Sequence, residues 1–344
     1  MRMKVLSCAT IALIILGFTQ TIWAKKEAAE AGKEGLGGLE FSGLLEEEFG
    51  YVRVEGENES DFTLATVGLC ADVCLVPNVE GHVLFLYEQG ENEDNIAVDE
   101  AMIGFKLPNI SPIELSLSLG RMYVPFGEFS SHFIADPFTL DVGETNEVAF
   151  QLSAAHEVAE VAAALYNDAV SVEGSNNTQI ADVAARIGAS APEGALGKDV
   201  SLSLGASFIT NILGSDAFGD MIEGDEVSER VPGIGGFISV NAMGAFVESE
   251  FILALNDAEL SDGEPLKPRA FNMELGYSLP KLSVEIAGKF EQLSENSDSS
   301  TNRFGGVVSF GLFSEVASLS VEFLQTDDGD AAERSITGQL SAEF

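Results

Sequence analysis

Basic residues are scarce: the 344-residue chain has 17 Lys+Arg against 56 Asp+Glu, a formal net charge of −39. A nucleic-acid binder needs a basic face, so that class is excluded. An obligate anion channel, which needs rings of Arg or Lys, is disfavoured. Histidine is rarer still, with only His82, His132 and His156. No Ser-His-Asp grouping, zinc spacing or phosphate-cradling Gly loop accompanies them, so the chain does not read as an enzyme and no cofactor or metal is expected. Apart from the segment at the start, no apolar run approaches the ~18–20 residues of a membrane helix.

The apolar run at the start, Val5–Phe18, follows Arg2 and Lys4 and ends at Thr-Ile-Trp-Ala. This is the layout of a secretory signal peptide covering 1–24, with Ala24 as the expected residue before cleavage. Its loss removes the single Trp and two positive charges, leaving 15 Lys+Arg against the same 56 acids, near −41. Two cysteines remain, Cys70 and Cys74. On one strand they stand about 13 Å apart at ~3.3 Å per residue, too far for a disulfide. Neither has obvious partner ligands in the sequence, and both read as small buried thiols.

What the chain has in abundance is alternation of period two. Leu115, Leu117 and Leu119 alternate with Glu114, Ser116 and Ser118; Leu319, Val321 and Phe323 alternate with Ser318, Ser320 and Glu322. The final stretch places Ile336, Gly338, Leu340, Ala342 and Phe344 against Ser335, Thr337, Gln339, Ser341 and Glu343. Ten-residue segments with this dyad are what a barrel in lipid requires, because an open sheet there leaves backbone groups unpaired.

Sixteen such segments fall near 39–54, 61–75, 80–89, 96–107, 112–125, 146–154, 158–167, 178–190, 199–210, 231–242, 245–256, 268–279, 281–292, 301–312, 315–326 and 333–344. The patterns at 61–75, 146–154 and 158–167 are weak, which leaves fourteen or eighteen strands as alternatives. Alternate links are tight, as at 76–79, 108–111, 155–157, 191–199, 243–244 and 313–314. The others are longer and polar, including 55–60, 90–95, 126–146, 211–230 and 257–267. Short turns inside and long loops outside are the topology of an all-β, antiparallel outer-membrane barrel. Residues 25–38 then form a short polar periplasmic lead, with no room before Leu39 for a plug domain. Tyr51, Tyr87, Tyr123 and Tyr166 fall at the outer rim, and Phe105, Tyr277 and Phe344 at the inner one, as aromatic girdles do.

The stretch 120–152 departs from the pattern. Pro125 removes a ladder donor and ends a strand, while Gly127 and Gly143 are placed to permit bends. Phe126, Phe129, Phe133, Ile134, Phe138 and Leu140 follow, too apolar for a solvated loop. The segment near 126–146 is therefore expected to turn inward or pack on the rim. Its polar members Glu128, His132, Asp136, Asp141 and Glu144 become candidates for a pore constriction.

The same stretch, Tyr-Val-Pro-Phe-Gly followed by Ser-His-Phe-Ile, Asp-Pro, Thr-Leu and Gly-Glu-Thr, resembles the LbtU family of siderophore porins, most densely over 104–152. Tyr123, Pro125, Phe126, Gly127, Ser131, His132, Phe133, Asp136, Pro137, Gly143 and Glu144 match the recurring motif. The resemblance implies an outer-membrane barrel of about sixteen strands that passes an iron–siderophore complex without a plugged receptor, and a homotrimer of the kind common among porins. An anionic siderophore calls for a local basic patch, with Arg53, Lys106, Arg121, Lys289 and Arg303 as candidates. The alternatives are a general or cation-preferring diffusion porin, and an occluded structural or adhesive barrel. The expected partners are outer-membrane lipid, a small solute, and divalent cations on the acidic outer loops.

Overall fold

A strand with one apolar and one polar face is satisfied in a membrane when lipid lies on its apolar side and a filled or watery lumen on the other. The computed structural model shows that solution. It describes residues 38–344 apart from 55, 90–95, 109–111, 169, 173–178, 193, 216, 219–221, 223–225, 260–264, 297–299, 314–315 and 330. The signal segment 1–24, the lead except for Gly38, and the acidic runs 90–95 and 260–264 lie outside the described residues.

The first half of the wall contains β1 (Leu39–Val54), β2 (Glu57–Val76), β3 (Val79–Glu88), β4 (Ala97–Lys106), β5 (Glu114–Tyr123), β6 (Asn146–His156) and β7 (Ala159–Tyr166). The second half contains β9 (Asp182–Ser190), β10 (Val200–Ile209), β12 (Gly233–Ala242), β13 (Ala245–Ala254), β14 (Arg269–Leu279), β15 (Val284–Ser294), β16 (Thr301–Leu312), β17 (Ala317–Asp327) and β18 (Ala332–Glu343). Two short strands, β8 (Ser171–Val172) and β11 (Glu226–Val227), form a separate parallel pair. Helix α1 (Phe138–Gly143) and a 3-10 turn at Ile212–Gly214 lie between strands.

The sixteen wall strands coincide with the sixteen expected segments, the three weak ones included, and close into one antiparallel barrel. Closure runs from Leu44 opposite Glu343 to Val54 opposite Glu333. It is finished by Gly43 and Phe344, whose backbones exchange hydrogen bonds of 2.8 and 3.1 Å. The outward positions Leu69, Leu119, Ile187, Leu275, Ile286, Phe304 and Leu340 are large, apolar and exposed, forming the belt that meets hydrocarbon. Inward positions on the same strands include the polar ones, as Glu274 is between Met273 and Leu275.

Tight hairpins reverse the chain at the inner end. The two-residue link Met243–Gly244 has φ of 55° and 89°, the geometry of a type I′ turn, which matches strand twist. Two expected links differ. The outer link at 55–60 shrinks to residues 55–56, because Glu57–Ser60 keep pairing with β1; polar residues extend the ladder freely once it has left the bilayer. The inner link at 191–199 is not tight; it folds through a Gly194–Gly197 bridge.

Tyr166 also departs from its expected place in the outer girdle. It is 1% exposed and points inward, into an apolar cluster with Phe126, Phe138, Ile209, Leu213 and Ile252. Parity at the end of β7 sets its face, and the cluster beside it supplies the packing that lipid would otherwise provide.

Candidate pore constriction

The loop from Val124 to Thr145 starts where β5 and β6 separate. Its two ends are tied by Val124 N–H donating to Thr145 O at 3.0 Å. Pro125 follows the last strand residues, and the chain then turns into the lumen. Gly127 has φ +77°, and an added Cβ would lie 2.2 Å from the Phe129 ring, so only glycine fits. Phe129 itself has φ 57°, a conformation that stores strain of about 1–3 kcal/mol. Gly143 was expected to permit a bend, but it serves by size: its φ is not left-handed, and a Cβ there would sit 2.5 Å from Ile252 Cδ1.

A single chemical device holds the loop. Inward-facing glutamates on the far wall accept its backbone N–H groups. Glu250 on β13 takes Glu128 N–H at 2.6 Å and Phe129 N–H at 2.9 Å. Glu274 on β14 takes the Ser131 hydroxyl at 2.7 Å and His132 N–H at 2.8 Å. Glu322 on β17 takes Ile134 N–H at 2.7 Å and Ala135 N–H at 3.1 Å. Glu291 on β15 takes Phe138 N–H at 3.0 Å. Ser207 on β10 adds one more, from Gly127 N–H at 3.0 Å. A carboxylate presents two oxygens, so each can clasp successive donors of a non-helical turn, and hydrogen bonds to a charged acceptor contribute about 1.5–3 kcal/mol each.

Burying these anions demands cations. Lys289, with a fully buried side chain, lies 3.5 Å from both Glu274 and Glu291 and donates to Ala135 O at 3.2 Å. Arg303 lies 2.5 Å from Glu291, donates to Asp136 O, and stacks 4.1 Å over the Phe138 ring. These two members of the expected basic patch are therefore enclosed by the loop and not presented to a solute. The other three are scattered: Lys106 pairs with Glu80 at 3.6 Å, Arg121 is exposed on the lipid-facing parity of β5, and Arg53 is exposed near the outer end of β1. The chain brings no five-residue basic patch together.

The loop's own polar groups occupy distinct positions. Glu128 pairs with Arg186 of β9, which also reaches Glu160 at 3.4 Å. Burial is the main influence on the Glu128 carboxyl and pushes it up to about 7, against the pull of Arg186. His132 stacks on Phe246 at 3.9 Å and is held between Glu285 at 2.6 Å and Glu248 at 3.6 Å. Burial works against its charged form, but the hydrogen bonds to the two carboxylates outweigh it and hold the imidazolium up at about 10. Asp136 is buried. Asp141, in the first turn of α1, is pushed up to about 6 by burial, with Arg303 opposing. Glu144 caps the C-terminus of α1, its N–H donating to Leu140 O at 2.9 Å. Under the loop a polar cavity of about 110 Å³ is lined by Glu128, Ser130, Ser239, Glu248 and Asn272.

Sequence reasoning did not find Glu250, Glu274, Glu291, Glu322 or Arg186 as partners of the loop. The available signal was parity: a charged residue at an inward position, flanked by lipid-facing residues such as Val321 and Phe323, needs an internal partner.

Further round the wall, β18 and β1–β4 carry a different set. Glu48 accepts from Gln339 at 2.9 Å, and Asp72 meets His82 at 2.9 Å. The expectation that Cys70 lacks partner ligands fails here. The β2–β3 register sets Asp72 opposite His82, which brings Cys70 Sγ within 3.7 Å of the imidazole.

No protein-family model matches the chain. A UPF0422 protein of Coxiella burnetii (strain RSA 493 / Nine Mile phase I) is 26% identical over 247 residues, 69% of this chain and 52% of that protein. The chain thus spans about half the length of that curated relative. Among solved structures, the anion-selective porin from Comamonas acidovorans aligns with a TM-score of 0.62 at 11% identity, over 89% of this chain and 99% of that one. The high-pH structure of Pseudomonas putida OprB aligns at 0.65 and 8% identity, over 95% and 97%. Identities this low speak to the fold alone. With the apolar belt and the closed sheet, they define a sixteen-stranded barrel of the porin type, seated in the outer membrane.

Proposed function

We propose that this barrel is a porin for passive passage of a small solute, narrowed by the loop 124–145. The observation that carries the reading is the clasp of that loop by Glu250, Glu274, Glu291 and Glu322. In this reading the loop is a fixed ledge inside the barrel, with Glu128, His132, Asp136, Asp141 and Glu144 as the constriction candidates. Porin-like neighbours support the same reading. By its resemblance to the siderophore porins, the solute is an iron–siderophore complex, and the assembly is a homotrimer. Stable single-channel conductance in planar bilayers is the expected result; a closed bilayer would favour the occluded structural barrel. A strain lacking the protein should grow poorly under iron limitation on its siderophore, and normal growth on every siderophore would refute the solute assignment. Mass in detergent tests the trimer.

One observation favours a second reading, the cation-preferring diffusion porin. Lys289 and Arg303 are enclosed with their carboxylates, so the lumen offers an anionic siderophore little positive charge. Reversal potential in a salt gradient separates the two, because cation preference suits the second and clear anion selectivity excludes it. Acidic outer loops that bind divalent cations, bridging to anionic lipid headgroups, fit either.

A further inference from the structure

On the wall away from the loop, β2 and β3 turn three side chains of unlike chemistry toward one point in the lumen. Asp72 and His82 are register partners, and Cys70 lies two residues along the same face of β2. His82 Nδ1 is 2.9 Å from Asp72 Oδ1, Cys70 Sγ is 3.4 Å from Asp72 Oδ2, and Sγ is 3.7 Å from Nδ1. One donor atom from each lies within 4.8 Å of the others. Around a tetrahedral ion with a metal–sulfur distance of about 2.3 Å and metal–nitrogen or –oxygen distances of about 2.0 Å, ligand atoms stand roughly 3.3–3.6 Å apart. The trio needs only small shifts to reach that geometry.

A nucleophile–base–acid relay uses both imidazole nitrogens, one for the nucleophile and the other for the orienting carboxylate. Here Cys70 and Asp72 converge on the same nitrogen, Nδ1, while Nε2 is buried without a hydrogen-bond partner among the described residues. The convergence suits a cation better than a travelling proton. The donor set of thiolate, imidazole and carboxylate is that of borderline first-row metals, whereas Mg²⁺ and Ca²⁺ take oxygen ligands. Glu100, buried on neighbouring β4, adds a negative field at His82. The closed protein sites of structural zinc use four ligands, whereas three ligands leave a position for exchange.

We propose that Cys70, Asp72 and His82 form a three-ligand site on the lumen wall for a transition-metal cation of the Zn²⁺ class, its fourth position open to the lumen. On binding, the Cys70 thiol releases its proton to solvent and the sulfur coordinates as thiolate. The site is independent of which solute the pore passes.

The test uses the full mature chain folded in detergent, its thiols kept reduced by a phosphine, titrated with Co²⁺ under excess Mg²⁺ to occupy acidic loops. One thiolate-to-cobalt charge-transfer band should saturate at one ion per chain, with the visible bands of a four-coordinate ion, and Zn²⁺ should displace it. Cys70→Ser should abolish the charge-transfer band, His82→Gln should weaken binding roughly tenfold or more, and Cys74→Ser should change neither. Strand circular dichroism and heat-modifiable mobility check that each variant folds. An independent measurement on the unmodified chain is protection of Cys70 from alkylation by Zn²⁺ but not by Mg²⁺. No charge-transfer band in the wild type, its survival in Cys70→Ser, or alkylation of Cys70 unaffected by Zn²⁺ would overturn the site.

Discussion

The two sides of the lumen use negative charge in opposite ways. On β13–β17 four inward acids, Glu250, Glu274, Glu291 and Glu322, are sealed against the loop, where Glu274 and Glu291 are 0% exposed and each lies 3.5 Å from Lys289. On β1–β4 the acids stand in small groups such as Glu48–Gln339 and Asp72–His82. A net charge of −39 therefore overstates the field met by a permeating ion, because part of it fastens backbone. Composition alone cannot separate the two uses; strand register and burial can.

The largest break in this contrast should come from Arg303→Ala. It strips Glu291 of its close cation and Asp136 O of a donor, and removing one partner of a buried pair costs about 3–5 kcal/mol. The loop should leave the wall, seen as cleavage within 126–145 under limited proteolysis and a several-fold rise in single-channel conductance; an unchanged conductance would contradict the clasp. Glu322→Gln comes next. Its amide retains one acceptor oxygen but loses the charge that two N–H groups share, about 1–3 kcal/mol, so proteolysis should quicken while the barrel's thermal mobility shift stays intact.

Acidity should tighten the loop. Glu128, Asp141 and His132 all have pKa values raised above their ordinary ones. A group of this sign contributes stability that is fully present below its ordinary pKa and is lost as pH climbs through the raised one. Loop seating should thus loosen as pH rises through about 6 to 7 for Asp141 and Glu128, and again toward about 10 for His132. Conductance noise measured from pH 5 to pH 10 should grow in that direction; noise that falls with rising pH would refute the assignment. The smallest effect on the loop belongs to Glu48→Gln on β1, whose carboxylate bonds to Gln339 and not to the loop. It should leave proteolysis unchanged while lowering cation preference in a salt-gradient measurement.

The wall was legible in the sequence because its cause is local. Alternation over ten residues fixes which face of a strand meets lipid, and even the weak segments at 146–154 and 158–167 follow it. The inward turn of the loop was legible from Phe126, Phe129, Phe133 and Phe138, and the need for glycine at 127 from its place in the turn. What holds the loop was not, since the partners of its N–H groups at 128–138 lie 121 to 188 residues away. Only register decides that Glu250, Glu274, Glu291 and Glu322 share one face of the lumen. Tyr166 and the Cys70–Asp72–His82 group were missed for the same reason: parity at a strand end and pairing across strands are not set by neighbours in the chain.

That long separation also orders events in time. Residues 124–145 emerge well before β13–β17, so their carboxylate holdfasts do not yet exist when the segment first meets the periplasm. Closing distant contours is slow compared with zipping adjacent hairpins. The seam that pairs Leu44 with Glu343 spans a longer contour still, so by the same rule the loop finds its carboxylates before the cylinder is sealed.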